Sequence, residues 1–437
     1  MLQKLTDSIE KKKINIAVIG LGYVGLPLAL RFAEVGFKTY GVELNEDKVN
    51  QLNNKSSYIS DVNNDKLSSL LDSKLFLPTC NFEHVKNCSV IVLCVPTPLD
   101  ETRSPDLSFI KNSMALVSPF LSKGQVISLE STTYPGTTEE IILPYILNKK
   151  QFEIGSNFFL VYSPERVDPG NRNYKINEIP KVVGGVTPEC TMIGEKFYST
   201  SFNSVITVSS TKVAEMSKLL ENIHRSVNIS LVNEMKMISD KMNIDIREVI
   251  DAASSKPFGF TPYYPGPGLG GHCIPVDPLY LTWKVNQLGI EANFIETSNK
   301  VNLEMPHWII NKIKEYFFSI QSNKNENYSI LVLGVAYKKD ISDTRESPAL
   351  EIIKYLVMNN FSVDYSDPFV EEIRISKDSN NKLKSIEINI KNLLKYNAVL
   401  ITTDHSVIDY ELVYENSKVI FDTRGVYRNK SKKIIQC

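Results

Sequence analysis

Cys273 closes a run of glycines and prolines, Tyr264-Pro-Gly-Pro-Gly-Leu-Gly270-Gly-His272-Cys273, and a carboxylate, Asp277, follows four residues later. That arrangement presents a thiol as a nucleophile. Glycines let backbone N–H groups approach a substrate and adopt angles closed to other residues, while a nearby acid orients water or moves protons. The same segment also fits a plain Gly/Pro turn with a bystander thiol. His272 reads as a structural or substrate contact rather than half of a Cys–His pair, because adjacent residues seldom bring their side chains into mutual reach.

A second pattern lies near the amino terminus. Ile14 to Ile19 reads as a buried strand, Gly20-Leu-Gly22-Tyr23-Val24-Gly25 follows at once, and Leu26, Leu28, Ala29, Leu30, Phe32 and Ala33 give a helical apolar face stopping at Gly36. Lys38 to Val42 returns as a strand and ends in Glu43. In such a βαβ unit the first glycine makes the tight turn and the second admits a pyrophosphate. The third lets helix and strand pack closely, and the acid bonds the ribose hydroxyls. The glycine pattern alone is weak, but all these parts in this order identify a dinucleotide site. Glu43 favours NAD over NADP, since a carboxylate there repels a 2′-phosphate.

Further strands should end beside that site. Val90 to Val95 stops at Pro96-Thr97-Pro98, Gln125 to Leu129 at Glu130-Ser131-Thr132, and Phe158 to Tyr162 at Ser163-Pro164-Glu165-Arg166. Ligands of open parallel sheets bind outside the carboxyl ends of strands, so Thr97, Thr132 and Glu165 fall where cofactor and reacting group should meet. Thr97 reads equally well as a turn hydroxyl.

The elements around these residues are those of a multi-domain enzyme. The chain has 437 residues, 42% of them hydrophobic, with 49 basic and 50 acidic residues and a formal net charge of −1. Length implies two or three domains, and the charge balance points to neither nucleic acid nor a membrane as partner. Cys80, Cys88, Cys94, Cys190, Cys273 and Cys437 lack metal-ligand or disulfide-scaffold spacing, so no metal is expected and the thiols read as reduced. Met1 to Glu10 followed by Lys11 to Lys13 reads as an amphipathic leader, no stretch has the length of a membrane span, and the expected location is the cytoplasm.

From Thr211 to about Asp240 runs a long helical pattern without proline or glycine, the spine between two α/β halves and a candidate subunit interface. Lys218 and Asn222 lie at i and i+4 on one of its faces, where without further context they read as solvated polar positions. The last third repeats the α/β theme. Tyr328 to Gly334, Phe361 to Tyr365, Ala398 to Thr402 and Val419 to Phe421 read as strands, Ala349 to Met358 as a helix. The glycine pattern is absent there, which suits a different nucleotide-like ligand whose phosphates Lys338, Lys339, Arg345 and Arg424 would neutralise, although Lys339 also reads as a solvated charge. Ser322 to Asn327 and Ser376 to Ser385 read as loops. The expected fold is α/β, two Rossmann-like doubly wound domains joined by a long central helix, with domains at 1–210, 211–310 and 311–437.

From about Lys13 to Tyr427 the chain resembles the nucleotide-sugar 6-dehydrogenase family, which includes the UDP-glucose and GDP-mannose dehydrogenases. The motifs are Gly20-Leu-Gly-Tyr-Val-Gly25, Val95-Pro-Thr-Pro98, Glu130-Ser-Thr132, Ser163-Pro-Glu165, Ala214-Glu-Met-Ser-Lys-Leu-Leu-Glu-Asn222, Gly270-Gly-His-Cys273 with Asp277, and Arg345-Glu-Ser-Pro348. The run from Lys256 to Pro275 resembles the bacterial UDP-N-acetylglucosamine branch more than the UDP-glucose branch.

The resemblance implies NAD as cofactor, a UDP-sugar as substrate and a homodimer or higher oligomer. It implies Cys273 as nucleophile, Lys218 and Asn222 as holders of an oxyanion, Asp277 and Thr132 as positioners of water that assist proton transfer, and Glu165 as acid-base group in thioester hydrolysis. Cofactor contacts would come from Gly20, Gly22, Tyr23, Val24, Gly25, Glu43, Thr97, Thr132 and Arg345. Substrate contacts would come from Glu165, Arg166, Lys218, Asn222, Arg225, Tyr264, Gly270, Lys338 and Arg424. One departure stands out: no arginine lies between Asp251 and Cys273, where UDP-glucose enzymes are expected to supply one from the partner subunit. The absence suits a pocket enlarged for a 2-acetamido group.

Overall fold

The computed structural model describes every residue except 60–61, 150, 168–173, 272, 321–327, 376–381 and 429–430. His272 and most of the two polar stretches expected as loops therefore lie outside the described residues. Met1–Glu221 with Leu279–Ile290 form one compact unit, and Asn222–Pro278 with Glu291–Cys437 form another.

Among the described residues the first unit holds an eight-stranded sheet in the order β3-β2-β1-β4-β5-β6-β7-β8. Its strands are β1 Asn15–Ile19, β2 Lys38–Val42, β3 Phe76–Thr79, β4 Val90–Leu93, β5 Val126–Leu129, β6 Phe159–Tyr162, β7 Lys181–Gly185 and β8 Val205–Val208. β4, β5 and β6 are buried along their whole length, as strands covered on both faces must be. The helix Gly25–Glu34 turns Leu26, Leu28, Ala29, Leu30, Phe32 and Ala33 into the core. Met1 to Glu10, expected as an amphipathic leader, forms the helix Leu2–Glu10, which buries Leu5 and Ile9 in the core of this unit.

One neighbour pair departs from the expected parallel sheet. β6 and β7 run antiparallel, with Val161 opposite Gly185 and Tyr162 opposite Gly184. An antiparallel strand brings its amino end to the edge where its neighbour ends. Lys181, the first residue of β7, therefore stands at the carboxyl edge.

The helix Thr211–Lys241 has 31 residues, and the division between the units falls within it. Among the described residues the second unit holds a five-stranded sheet ordered β10-β9-β13-β14-β15, parallel throughout, and a two-stranded antiparallel ribbon. Its strands are β9 Ser329–Leu333, β10 Ser362–Ser366, β11 Glu372–Arg374, β12 Lys382–Lys384, β13 Ala398–Ile401, β14 Ile420–Asp422 and β15 Ile434–Gln436. β12 occupies the end of the stretch expected as a loop, because pairing with β11 satisfies its backbone. The helix Asn293–Ile320 contains Pro306 and buries Met305, Ile309, Ile313 and Phe317 at helical spacing. Its interior proline counts against helix in sequence, and burial of that face overrides it.

Candidate active site

The glycine turn has the geometry of a dinucleotide cradle. Gly20 has φ +88°, and a Cβ there would lie 2.7 Å from the carbonyl oxygen of Cys94. A Cβ on Gly25 would lie 1.8 Å from the carbonyl oxygen of Gly20, so helix and strand meet only because both residues are bare. Nothing lies within 4 Å of the place a Cβ of Gly22 would take. That space, before the amino end of the helix Gly25–Glu34, fits a pyrophosphate. Tyr23 is exposed and Val24 caps the helix. The Glu43 carboxylate accepts the N–H groups of Leu21 (3.0 Å) and Asn45 (3.2 Å), which fixes it at the end of β2. These residues fit NAD.

At the carboxyl ends of the neighbouring strands, Thr97 is buried and its hydroxyl donates to the Thr132 carbonyl at 2.8 Å. The Tyr280 phenol donates to the Thr97 carbonyl. Thr132 itself is half-buried. The loop beyond it is tied to the long helix by Glu215, a buried carboxylate that accepts the N–H groups of Gly136 (2.5 Å) and Thr138 (2.9 Å) and the Thr138 hydroxyl (2.7 Å). Burial pushes the Glu215 carboxyl up to about 7.

Glu165 is buried. One carboxylate oxygen accepts the N–H groups of Arg166 and Val167, both at 2.7 Å, and the other lies 3.5 Å from the Lys181 ammonium. Burial alone would raise its pKa, but Lys181, the two backbone donors and Lys218 outweigh that and hold it below the ordinary value. Arg166 is held by Glu221 at 2.7 Å and the Pro180 carbonyl at 2.9 Å. Lys181 also binds Glu130, which in turn accepts the Tyr198 hydroxyl at 2.5 Å. Lys181, Tyr198 and Glu215 are site residues that sequence pattern does not mark as functional. The signal for Lys181 was a lysine opening the apolar run Lys181-Val-Val-Gly-Gly185.

Lys218 and Asn222 are both buried, which corrects the expectation of solvated positions. Periodicity identifies a polar face but not what packs on it. In the second unit the Asn222 amide donates to the Asp277 carboxylate, itself buried. Cys273 is exposed, and its carbonyl accepts the N–H groups of Val276 (3.1 Å) and Asp277 (2.8 Å), opening the helix Asp277–Asn286. Gly271 donates to the Arg345 carbonyl at 3.0 Å. A Cβ on Gly270 would lie 2.6 Å from Tyr337 Cβ, so that glycine serves close packing of the thiol segment.

The remaining candidates are spread over the second unit. Arg225 is exposed. Tyr264, also exposed, donates to Asp251 at 2.5 Å. Lys338 is half-buried, Lys339 lies 4.0 Å from Asp404, and the Arg345 guanidinium binds Asp343 at 2.6 Å. Arg424 donates to the Thr402 carbonyl at 2.7 Å, and burial lowers its pKa. At the end of β10, the place Glu43 takes in the first unit, stands Asp367. It accepts the Val335 N–H at 2.7 Å and lies 3.0 Å from His405 Nε2. The Asp340 N–H donates to His405 Nδ1, which leaves Nε2 as the donor to Asp367. Unlike the half-buried Glu43, Asp367 is buried and engaged by a histidine, so it is not presented to a ribose, and the unit also lacks the glycine turn.

A doubly wound α/β unit with this glycine turn and acid, followed by a second α/β unit and an exposed thiol, defines a dinucleotide-dependent oxidoreductase. Residues 14–202 match the NAD binding domain of the UDP-glucose/GDP-mannose dehydrogenase family, residues 212–304 its central domain and residues 331–429 its UDP binding domain. The chain belongs to this family and is an NAD-dependent oxidoreductase of nucleotide sugars. It is 31% identical to a UDP-N-acetyl-D-glucosamine 6-dehydrogenase of Pseudomonas aeruginosa, over 90% of this chain and 91% of the relative. It is 33% identical to a UDP-N-acetyl-D-mannosamine dehydrogenase of Methanococcus aeolicus, over 92% of this chain and 87% of the relative. A solved UDP-D-ManNAc dehydrogenase of Pyrococcus horikoshii superposes with a TM-score of 0.85 at 29% identity, covering 97% of this chain and 98% of that one. Among the described residues no helix is long and apolar enough to cross a membrane.

Proposed function

We propose that the chain oxidises the C6 hydroxymethyl group of a UDP-2-acetamido sugar, UDP-N-acetylglucosamine, to the uronate for a surface polysaccharide. The observation that carries this reading is the buried Asn222–Asp277 pair, adjoining the turn from which Cys273 is exposed. Gly20, Gly22, Tyr23, Val24, Gly25, Glu43, Thr97, Thr132 and Arg345 hold NAD, which accepts a hydride in each of two oxidations. The Cys273 thiolate adds to the C6 aldehyde left by the first oxidation, forming a C–S bond and an alkoxide that Lys218 and Asn222 stabilise. Donors of that kind contribute about 3 to 4 kcal/mol. Loss of the second hydride leaves a thioester. Water positioned by Asp277 and Thr132, and deprotonated by Glu165, adds to that carbonyl and releases the carboxylate and the thiolate.

Arg166, Arg225, Tyr264, Gly270, Lys338 and Arg424 complete the substrate contacts. The working division is a cofactor domain at 1–210, a central domain at 211–310 and a UDP-sugar domain at 311–437. A homodimer forms along the long helix, supported by its exposed Val213, Met216, Leu220, Leu231, Met235 and Ile238.

The name of the Pseudomonas relative and the absence of an arginine between Asp251 and Cys273 support the choice of sugar. UDP-N-acetylmannosamine is the second reading, supported by the Methanococcus relative and the Pyrococcus structure; UDP-N-acetylgalactosamine and UDP-glucose follow. A non-catalytic nucleotide-sugar-binding protein would have no need of Cys273, Lys218, Asn222 and Asp277 together. The test is competition kinetics on one preparation, counting NADH per sugar. UDP-N-acetylglucosamine is expected to exceed UDP-glucose at least tenfold in kcat/KM, about 1.4 kcal/mol in transition-state binding. A preference for any other sugar overturns the assignment.

A further inference from the structure

Behind Glu165 lies a buried cluster of charge that the reaction above does not use. The Lys181 ammonium, 3% exposed, binds Glu130 directly and reaches the Pro164 carbonyl at 3.2 Å and Glu165 at 3.5 Å. Three strands bring these groups together: Glu130 follows β5, Glu165 follows β6, and Lys181 opens the antiparallel β7. Tyr198, on the helix Pro188–Ser199, bonds Glu130 at 2.5 Å and lies 2.7 Å from the Ser128 hydroxyl. Cys94 beyond β4 and Lys218 on the long helix also act electrostatically on the cluster.

We propose that Lys181 and Glu130 are a positioning pair for Glu165: Lys181 keeps that carboxylate ionised and aimed, and Glu130 sets how much of the lysine's charge Glu165 feels. The inference rests on the reading of Glu165 as the base of thioester hydrolysis. Stability alone is a weak reason for such a cluster, since well-packed apolar residues can replace buried ion pairs at little or no cost. The geometry is also unequal. Lys181 is closer to Glu130, whose carboxylate is held by that ammonium and by the Tyr198 hydroxyl, while Glu165 has one oxygen pinned by two N–H groups and the other only loosely engaged. A loosely engaged oxygen retains basicity toward a water proton. An ammonium beside it keeps the group ionised when burial would otherwise protonate it. Burial also pushes Glu130 up to about 7, so its own charge is adjustable near neutral pH.

The two partners must act on Glu165 with opposite sign, and this distinguishes positioning from packing. The experiment follows hydrolysis of the Cys273 acyl adduct by protein mass after a single turnover with UDP-N-acetylglucosamine and NAD, across pH. In Lys181→Met the acid limb of the hydrolysis rate moves up by about 1 pH unit or more. Glu130 is neutral along that limb, so Glu130→Gln leaves it in place and instead abolishes a further rise in rate near pH 7, where ionisation of Glu130 makes Glu165 more basic. An acid limb that stays in place in Lys181→Met, or a step near pH 7 that persists in Glu130→Gln, overturns the inference, including the case in which both variants are slower at every pH. If Lys181→Met does not fold, the loss of the step in the nearly isosteric Glu130→Gln decides alone. Glu165→Gln is run in parallel and should accumulate the adduct. Hydrolysis there at the wild-type rate overturns the Glu165 reading itself, whatever the other two variants do.

Discussion

The side-chain amide of Asn222 donates to the carboxylate of Asp277, a residue 55 positions away in sequence, and both groups are buried. An amide anchored in this way cannot swing out to solvent, so its remaining N–H has a fixed direction. Asn222→Asp would place two carboxylates in contact, and one of them must take up a proton. Activity is expected to fall about 10²- to 10³-fold, the usual cost of losing one oxyanion donor. The deficit should shrink as pH is lowered, which a kcat/KM profile from pH 6 to 9 measures. A variant with wild-type rates throughout refutes the role of Asn222.

Cys273→Ser tests the nucleophile. The exposed side chain permits the change without repacking, so NAD and UDP-sugar binding should persist. Formation of the acid should drop by about three orders of magnitude or more, because a serine hydroxyl is scarcely ionised near neutral pH. Binding isotherms and steady-state NADH production read the two quantities separately.

Glu43→Ala addresses cofactor choice. NAD should be preferred over NADP in the native chain, and the variant should narrow that preference about tenfold or more by removing the repulsion of a 2′-phosphate. The carboxylate also holds the Leu21 and Asn45 N–H groups, so the KM for NAD should rise in the same variant. Equal use of both cofactors by the native chain would rule the assignment out.

Glu215 makes stability depend on pH. Burial raises its folded-state pKa to about 7 from the ordinary 4.5. Between those values the folded chain keeps a proton that the unfolded chain has released, so the contribution to stability is greatest at low pH and is lost as pH rises through 7. The full span amounts to roughly 3 kcal/mol. The urea midpoint should fall from pH 5 to pH 8, and by less in Glu215→Gln. An equal fall in both proteins would remove Glu215 as the cause.

The exposed apolar positions on the long helix should be covered by a second copy of the chain. Leu220 is 63% exposed and Leu231 54% exposed. Glutamates at both positions should shift the light-scattering mass from dimer to monomer and lower activity with it. A native chain that is monomeric and fully active excludes the interface.

The cofactor cradle was legible in the sequence because its parts are local. Gly20, Gly22, Gly25 and Glu43 occur within one βαβ unit, and the requirement for bare backbone at two close approaches permits only glycine. Cys273 and Asp277 were legible for the same reason, lying one helical turn apart. What joins distant segments was not. Lys218 and Asn222 look like a solvated pair until the fold buries them, and nothing near Asn222 in sequence announces Asp277 as its partner. Lys181 stands beside Glu130 and Glu165 only because β7 runs against β6, a choice of strand direction that hydrophobic patterning leaves open, since an apolar run buries equally well in either sense.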